Sequence, residues 1–280
     1  MPGIADLQAF RFYDVIAALS LGTPPNTSTQ PISQPFPLPA PSSPLPPSPL
    51  NSVDTLLGLS TDLWPIIHRL SHLLSFKTSI EAALAIGETS KATVLRTELE
   101  NTSQAIELAL TNWKPSYDSD VQSPPLCEDI AFDDPDHRLT GEEARIQSIL
   151  NNAEAYRHSA FVYLYRTIRS HPRNHSQVQR HAHSALQACS RVVKLAEQCC
   201  DGPMSALLWP LFVSSCEAIT EEDRQLAMDG FGGTERRQGM NNILRTWEVV
   251  QEIWRRTDLG EEDVNWREIC DQRGFSIVFG

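Results

Sequence analysis

The segment LLWPLFVSSCEAITEEDR, Leu207 to Arg224, decides how the rest of this 280-residue chain is read. Leu207, Leu208, Leu211, Phe212 and Ile219 leave no polar face over two turns, which predicts a helix surrounded by other helices. Pro210 sits inside it. Either it lies in the first turn of a new helix, where its missing N–H costs nothing, or it kinks a longer helix begun at Pro203. Thr220 and Asp223 make a Thr-x-x-Asp start that ends the apolar helix and opens another with acids in its first turn. Glu217, at the exit, is either an exposed helix end or one half of an ion pair with an arginine such as Arg224 or Arg245.

Working outward, helical periodicity recurs on both sides and alternation does not. Upstream, Thr140 with Glu143 forms a Ser/Thr-x-x-Glu capping box. A stripe through Ile146, Ile149, Leu150, Ala153, Tyr156, Ala160, Tyr163, Leu164 and Ile168 then runs to Pro172. A further helix is expected from about Ser176 to Cys200. Leu63, Ile66, Ile67, Leu70, Leu73 and Leu74 line another, with Ser60 or Thr61 as cap and Pro65 in its first turn. The Ala-, Leu- and Glu-rich stretch that follows breaks or bends near Gly87, and Lys114–Arg138 reads as an acidic loop. Leu7, Phe10, Val15, Ile16 and Leu19 give an N-terminal helix ending at Gly22. Downstream, the segment GFGG, Gly230 to Gly233, reads as a helix C-cap and turn. A long helix from Glu235 and a short one around Trp266 follow. The fold class is therefore all-α, an irregular multi-helix array. The proline-dense stretch from Thr23 to Leu50 is incompatible with helix or central strand and reads as a disordered linker. Residues 1–22 are taken as a helix belonging to the main domain, 23–50 as the linker, and 51–280 as the helical domain.

Composition narrows the function. Net charge is -12 and pI about 5.1, so the chain offers no basic face for a phosphate backbone, and direct nucleic-acid binding is not expected. No basic cluster reads as a nuclear-import signal. The start, MPGIADLQAF, has neither the basic nor the apolar stretch of a secretory signal, so free thiols are the default. The Asn-x-Ser/Thr triplets at Asn26, Asn101 and Asn174 then carry no glycan. The longest apolar run, Leu207–Val213, is far short of the about 20 residues that span a bilayer.

Candidate chemistry is sparse. FDDPDH, Phe132 to His137, invites comparison with Asp-rich Mg²⁺ boxes, but Pro135 interrupts it, and the position four residues after Asp133 is His137 rather than a carboxylate. His181 and His183, two residues apart on a helix, point about 200° apart and cannot share a metal; His175 and Cys189 lie further off. Cys199-Cys200 is a vicinal pair without zinc-ligand spacing. Gly230–Gly233 lacks the Lys-Ser/Thr that a phosphate cradle needs. The six tryptophans fall on helical faces, as core or as the wall of a small-molecule pocket between helices. No catalytic, cofactor-binding or metal residue is assigned.

Trp209-Pro210-Leu211-Phe212, followed by Cys216-Glu217-Ala218, resembles a segment of the fungal-specific transcription factor domain of binuclear zinc-cluster regulators, in the acriflavine-sensitivity-control branch. FYDVIAALSLG (Phe12–Gly22), VDTLLGLSTDLWPIIHRLSHL (Val53–Leu73), EAYRHSAFVYLYRTI (Glu154–Ile168) and VNWREICDQRGFSIVFG (Val264–Gly280) resemble other elements of that domain, in the same order. The resemblance implies a non-enzymatic regulatory domain. It would work in the nucleus on fungal genes, secondary-metabolism genes among them, through protein partners or a small effector. Those partners would be a DNA-binding regulator or a second copy of the chain. The family's Cys-x₂-Cys-x₆-Cys zinc repeat is not in these 280 residues. The expectation is a regulator that lost its zinc cluster or a reading frame truncated at its start, and DNA binding is not carried over. Two alternatives stay open: a helical metabolic enzyme built on the aromatic helices and the Asp133-Asp134 loop, or a plain scaffold.

Overall fold

The computed structural model describes residues 4–26, 63–114, 139–196, 207–238, 241–277 and 279. Among them are nine α-helices and no strand: α1 (Ile4–Leu21), α2 (Trp64–Ala85), α3 (Thr89–Asn112), α4 (Gly141–Tyr163), α5 (Ser176–Ala196), α6 (Leu208–Cys216), α7 (Glu221–Gln238), α8 (Asn241–Asp258) and α9 (Trp266–Arg273). The all-α reading holds. The Pro-rich stretch from residue 27 on, Ser60, Thr61, Asp133, Asp134, His137, Cys199 and Cys200 lie outside the described residues, so the linker, the caps and the acidic box are not placed.

α6 is the hub. Leu208, Trp209, Pro210, Leu211, Phe212, Ser214, Ser215 and Cys216 are all buried, and the helix packs on α4, α5, α7 and α8. Its apolar side chains each contribute about 1.5–3 kcal/mol by leaving water. Of the two roles open to Pro210, the structure takes the first. Pro210 is the third residue of the helix, where no intrahelical acceptor awaits an N–H, and the ladder begins beyond it with Leu211 N donating to Leu207 O at 3.1 Å. Ile219 departs from expectation. The helix stops at Cys216, so Ile219 falls outside it and is 44% exposed.

α4 and α5 form the long central pair, joined by residues 169–175. α4 opens with the expected capping box, Thr140 Oγ1 accepting from Glu143 N at 3.3 Å and the Glu143 carboxylate accepting from Thr140 N at 2.8 Å. It does not end where α-geometry ends. A π-helical turn, Leu164–Ile168, extends it; such turns often mark functional sites. α1 docks against α2 and the C-terminal tail. Arg267 donates to the otherwise unpaired end carbonyls of α1, to Leu19 O at 2.8 Å and Ser20 O at 3.3 Å. Ser20 Oγ donates to Ile277 O, and Gly22 ends the helix at φ +71°, as the sequence predicts. α2 and α3 form a hairpin turned at Gly87.

The Gly230–Gly233 segment is not a cap. It lies within α7, which runs through the expected turn to Gln238, and the next helix begins at Asn241 rather than Glu235. The glycines serve close approach instead. A Cβ on Gly233 would stand 2.2 Å from Val193 Cγ1 of α5, and one on Gly230 2.7 Å from Leu211 Cδ1 of α6. Val193 is β-branched and stiff on its helix, so Gly233→Ala forces the helices apart. Overpacking costs about 1–3 kcal/mol and exceeds the roughly 1 kcal/mol of helix propensity gained. Gly230→Ala meets only the end of a Leu side chain and costs less. Urea denaturation of the two variants checks the order; equal stabilities would contradict it.

Candidate functional site

The π turn faces two ways. Its inner side chain, Arg166, donates through Nε to Glu217 at 2.8 Å and through Nη1 to His171 O at 2.6 Å. Arg173, from the α4–α5 loop, approaches the same carboxylate at 4.0 Å. It donates to Ala218 O at 2.8 Å and to Thr257 Oγ1 of α8 at 2.6 Å. Gln179 of α5 donates to the Arg173 and Glu217 carbonyls at 2.7 and 2.9 Å. The Arg166 and Glu217 side chains are only 17% and 13% exposed. Burial pushes the Glu217 carboxyl above its ordinary range against the pull of both guanidiniums. Both cations also stand at the C-terminal, negative end of α6. An ion pair at Glu217 is thus present, but its partners are not those expected. Arg224 instead grips Asp258 at 2.6 and 2.9 Å, and Arg245 lies over the Phe275 ring.

The outer side of the turn meets α3. Tyr165 Oη donates to Glu107 at 2.6 Å, Arg169 pairs with the same carboxylate at 2.7 Å, and the His171 ring stacks on Tyr165, 5° from parallel. Burial alone would raise the Glu107 carboxyl, but the hydrogen bonds from Tyr165 and Arg169 hold it below its ordinary range. Ser103, Gln104 and Glu107 of α3, with Arg169 and His171 opposite, wall an open groove of about 560 Å³. The cavity on the inner side, beside Trp209, Phe212 and Glu217, is only about 40 Å³, room for a few waters but not for a drug-sized ligand. Among the described residues, Trp209 and Trp266 line this small cavity. Trp209 stacks on Tyr156, Trp64 on Phe12, Trp266 meets Phe212, and Trp247 meets Phe231 and Trp254.

The two α5 histidines go separate ways. His183 Nδ1 meets Asp223 of α7 at 2.6 Å, and Thr220 Oγ1 accepts from Asp223 N at 3.1 Å, the expected N-terminal start of α7. His181 Nδ1 lies 2.8 Å from His158 Nδ1 of α4. One ring must donate and the other accept, so at most one of the two can carry a charge. Arg157 and Arg180 face the outer nitrogens of the pair at 3.4 and 3.2 Å. Burial, reinforced by these guanidiniums, lowers His158 to about 3 and His181 to about 4. Cys189 and Cys216 are buried and their thiols pushed well up, which removes them as nucleophiles at neutral pH. Among the described residues no three His, Cys, Asp or Glu side chains gather as for a metal ion, and no helix is long and apolar enough to cross a membrane.

Neither Arg166 nor His158 is singled out by the sequence reading. Each partners a residue on another element, and no local spacing announces such a pair. The one usable signal was Glu217, an acid at the end of an otherwise apolar segment.

Residues 7–280 match the family model described as the fungal specific transcription factor domain, and the chain belongs to that family. The match supports a role in transcription regulation, and the family is a transcription factor family, not an enzyme family. No curated protein and no solved structure matches the chain.

Proposed function

We propose that residues 1–22 and 51–280 form one regulatory and interaction unit of a fungal transcription regulator of the acriflavine-sensitivity-control type. It acts in the nucleus through protein contacts. The observation that carries this is the family match from residue 7 to 280 on a chain of net charge -12. Reading of DNA falls to a partner or to a segment outside these residues. The inclusion of the N-terminal helix is supported by Arg267 and Ser20, which tie α1 to the C-terminal tail. Fluorescence anisotropy with duplex DNA at physiological salt tests the proposal. Sequence-preferring binding by residues 1–280 would contradict it; weak binding, lost uniformly with salt, is the expected result.

A second reading adds a small effector acting on secondary-metabolism genes through the same unit. It is favoured by the groove at Glu107, Arg169 and His171, which abuts the π turn leading to Glu217. A thermal-shift panel of metabolites checks it. A true ligand at a hundred times its Kd stabilises the chain by about 2.7 kcal/mol, and a flat panel counts against the effector.

A further inference from the structure

The π turn is held from outside at three points, and the holds belong to two different parts of the fold. From the α2–α3 hairpin, Lys77 of α2 donates to Thr167 O at 2.8 Å and to Ser170 Oγ at 3.1 Å, and Glu107 of α3 takes Tyr165 and Arg169. From the hub, Glu217 at the end of α6 takes Arg166. A plain α-helix would use Thr167 O for the N–H of residue 171. Here His171 N bonds back to Tyr165 O at 2.9 Å instead, and the Lys77 ammonium supplies the bond that Thr167 O would lack. Ser170, which closes the turn, sits at φ +56°, a left-handed conformation unfavourable to a residue with a Cβ. Such backbone persists only where its surroundings over-determine it.

The wide turn decides where the side chains point. It inserts one residue, which rotates everything beyond it by about 100° relative to an α-helix. In an α-helix Arg166 and Arg169, three apart, would share a face. Across the wide turn one reaches Glu217 and the other Glu107. The two sides are joined through His171. Its ring stacks on Tyr165 with centroids 5.5 Å apart, and its carbonyl accepts from Arg166 at 2.6 Å. A continuous series of contacts therefore runs from Glu107 through Tyr165, His171 and Arg166 to Glu217.

We propose that the π turn is a register switch that transmits the state of the Glu107 clamp to the Glu217 node. With Tyr165 and Arg169 held by Glu107, the turn keeps its extra residue and Arg166 lies on Glu217. When α3 lets go, the segment relaxes toward α-helical winding and Arg166 is drawn off Glu217. The switch borders the groove of the effector reading but needs no ligand. It is tested without one, so it can fail while that reading stands.

NMR of the tryptophan indole N–H groups and urea denaturation, both on the full chain, test it. Trp209 and Trp266 line the inner cavity with Arg166 and Glu217, whereas Trp64 and Trp247 pack on Phe12 and Phe231. Glu107→Ala, and Tyr165→Phe, which deletes only the hydroxyl donor, are each expected to shift the first two signals and leave the second two in place. Glu100→Ala, on the same wall of the groove, is expected to shift none of the four. Glu107 and Glu217 bond to different side chains, so independent sites would give effects on the unfolding constant that multiply. Instead the double variant Glu107→Ala with Glu217→Ala is expected to have an unfolding constant at least about fivefold below the product of the single effects. Unmoved Trp209 and Trp266 signals, an equal response to Glu100→Ala, or effects that multiply within about twofold would each overturn the proposal.

Discussion

Glu217→Ala is expected to lower the free energy of unfolding by about 3–5 kcal/mol, the cost of removing the carboxylate between two buried cations; Arg166 keeps only the exposed Asp263, at 3.7 Å. The carboxylate is the one anion against which Arg166 and Arg173 both stand, at 2.8 and 4.0 Å, in a site where neither arginine can turn fully to water. Glu217→Gln keeps the volume and an acceptor but not the charge, so it recovers only a small part of the loss. The intact node need not add much net stability, since burial already works against the Glu217 charge. A double variant, Glu217→Leu with Arg166→Met, is accordingly expected to be more stable than Glu217→Ala alone. Urea denaturation of the parent chain and the three variants checks this order. A loss below about 1 kcal/mol for Glu217→Ala would mean that the node is solvated, since exposed pairs are worth no more than that.

Acidification is expected to destabilise the fold through His158 and His181. Both are held neutral, with folded values of about 3 and about 4 against about 6.5 in the unfolded chain. Below pH 6.5 the unfolded state therefore binds more protons, and stability falls as pH drops toward 4. At pH 5 each histidine costs about 2 kcal/mol, roughly 4 together. At 2–4 °C per kcal/mol the melting temperature should drop by about 10 °C between pH 7.5 and 5. Glu107, whose charge raises His181, and Glu154, 3.5 Å from His158, are acids that oppose the effect. Replacing both histidines by glutamine should flatten the profile over that range. An unchanged slope would assign the acid sensitivity to other groups.

Features set by neighbours in sequence were legible in advance. Pro210 at a helix start, the Thr140–Glu143 box, the Thr220–Asp223 start of α7 and the turn at Gly87 each depend on a few adjacent residues, and each appears. Features set by approach between helices were not. Gly230 and Gly233 look like punctuation along the chain, yet they are helix interior, there to admit Val193 and Leu211. Ile219 fits the apolar periodicity, but periodicity does not say that the helix stops at Cys216. Arg166 lies 51 residues before Glu217 and reaches it only because the π turn re-aims the end of α4. The His158–His181 pair likewise joins two helices whose separate sequences give no sign of it.

The central claim is that this chain regulates transcription by contact with other proteins and not by holding DNA. The most direct measurement fuses residues 1–280 to an unrelated DNA-binding domain and reads a reporter gene in a fungal nucleus. A several-fold change in transcription over the DNA-binding domain alone is the predicted result. A folded, nuclear fusion that leaves the reporter untouched would contradict it.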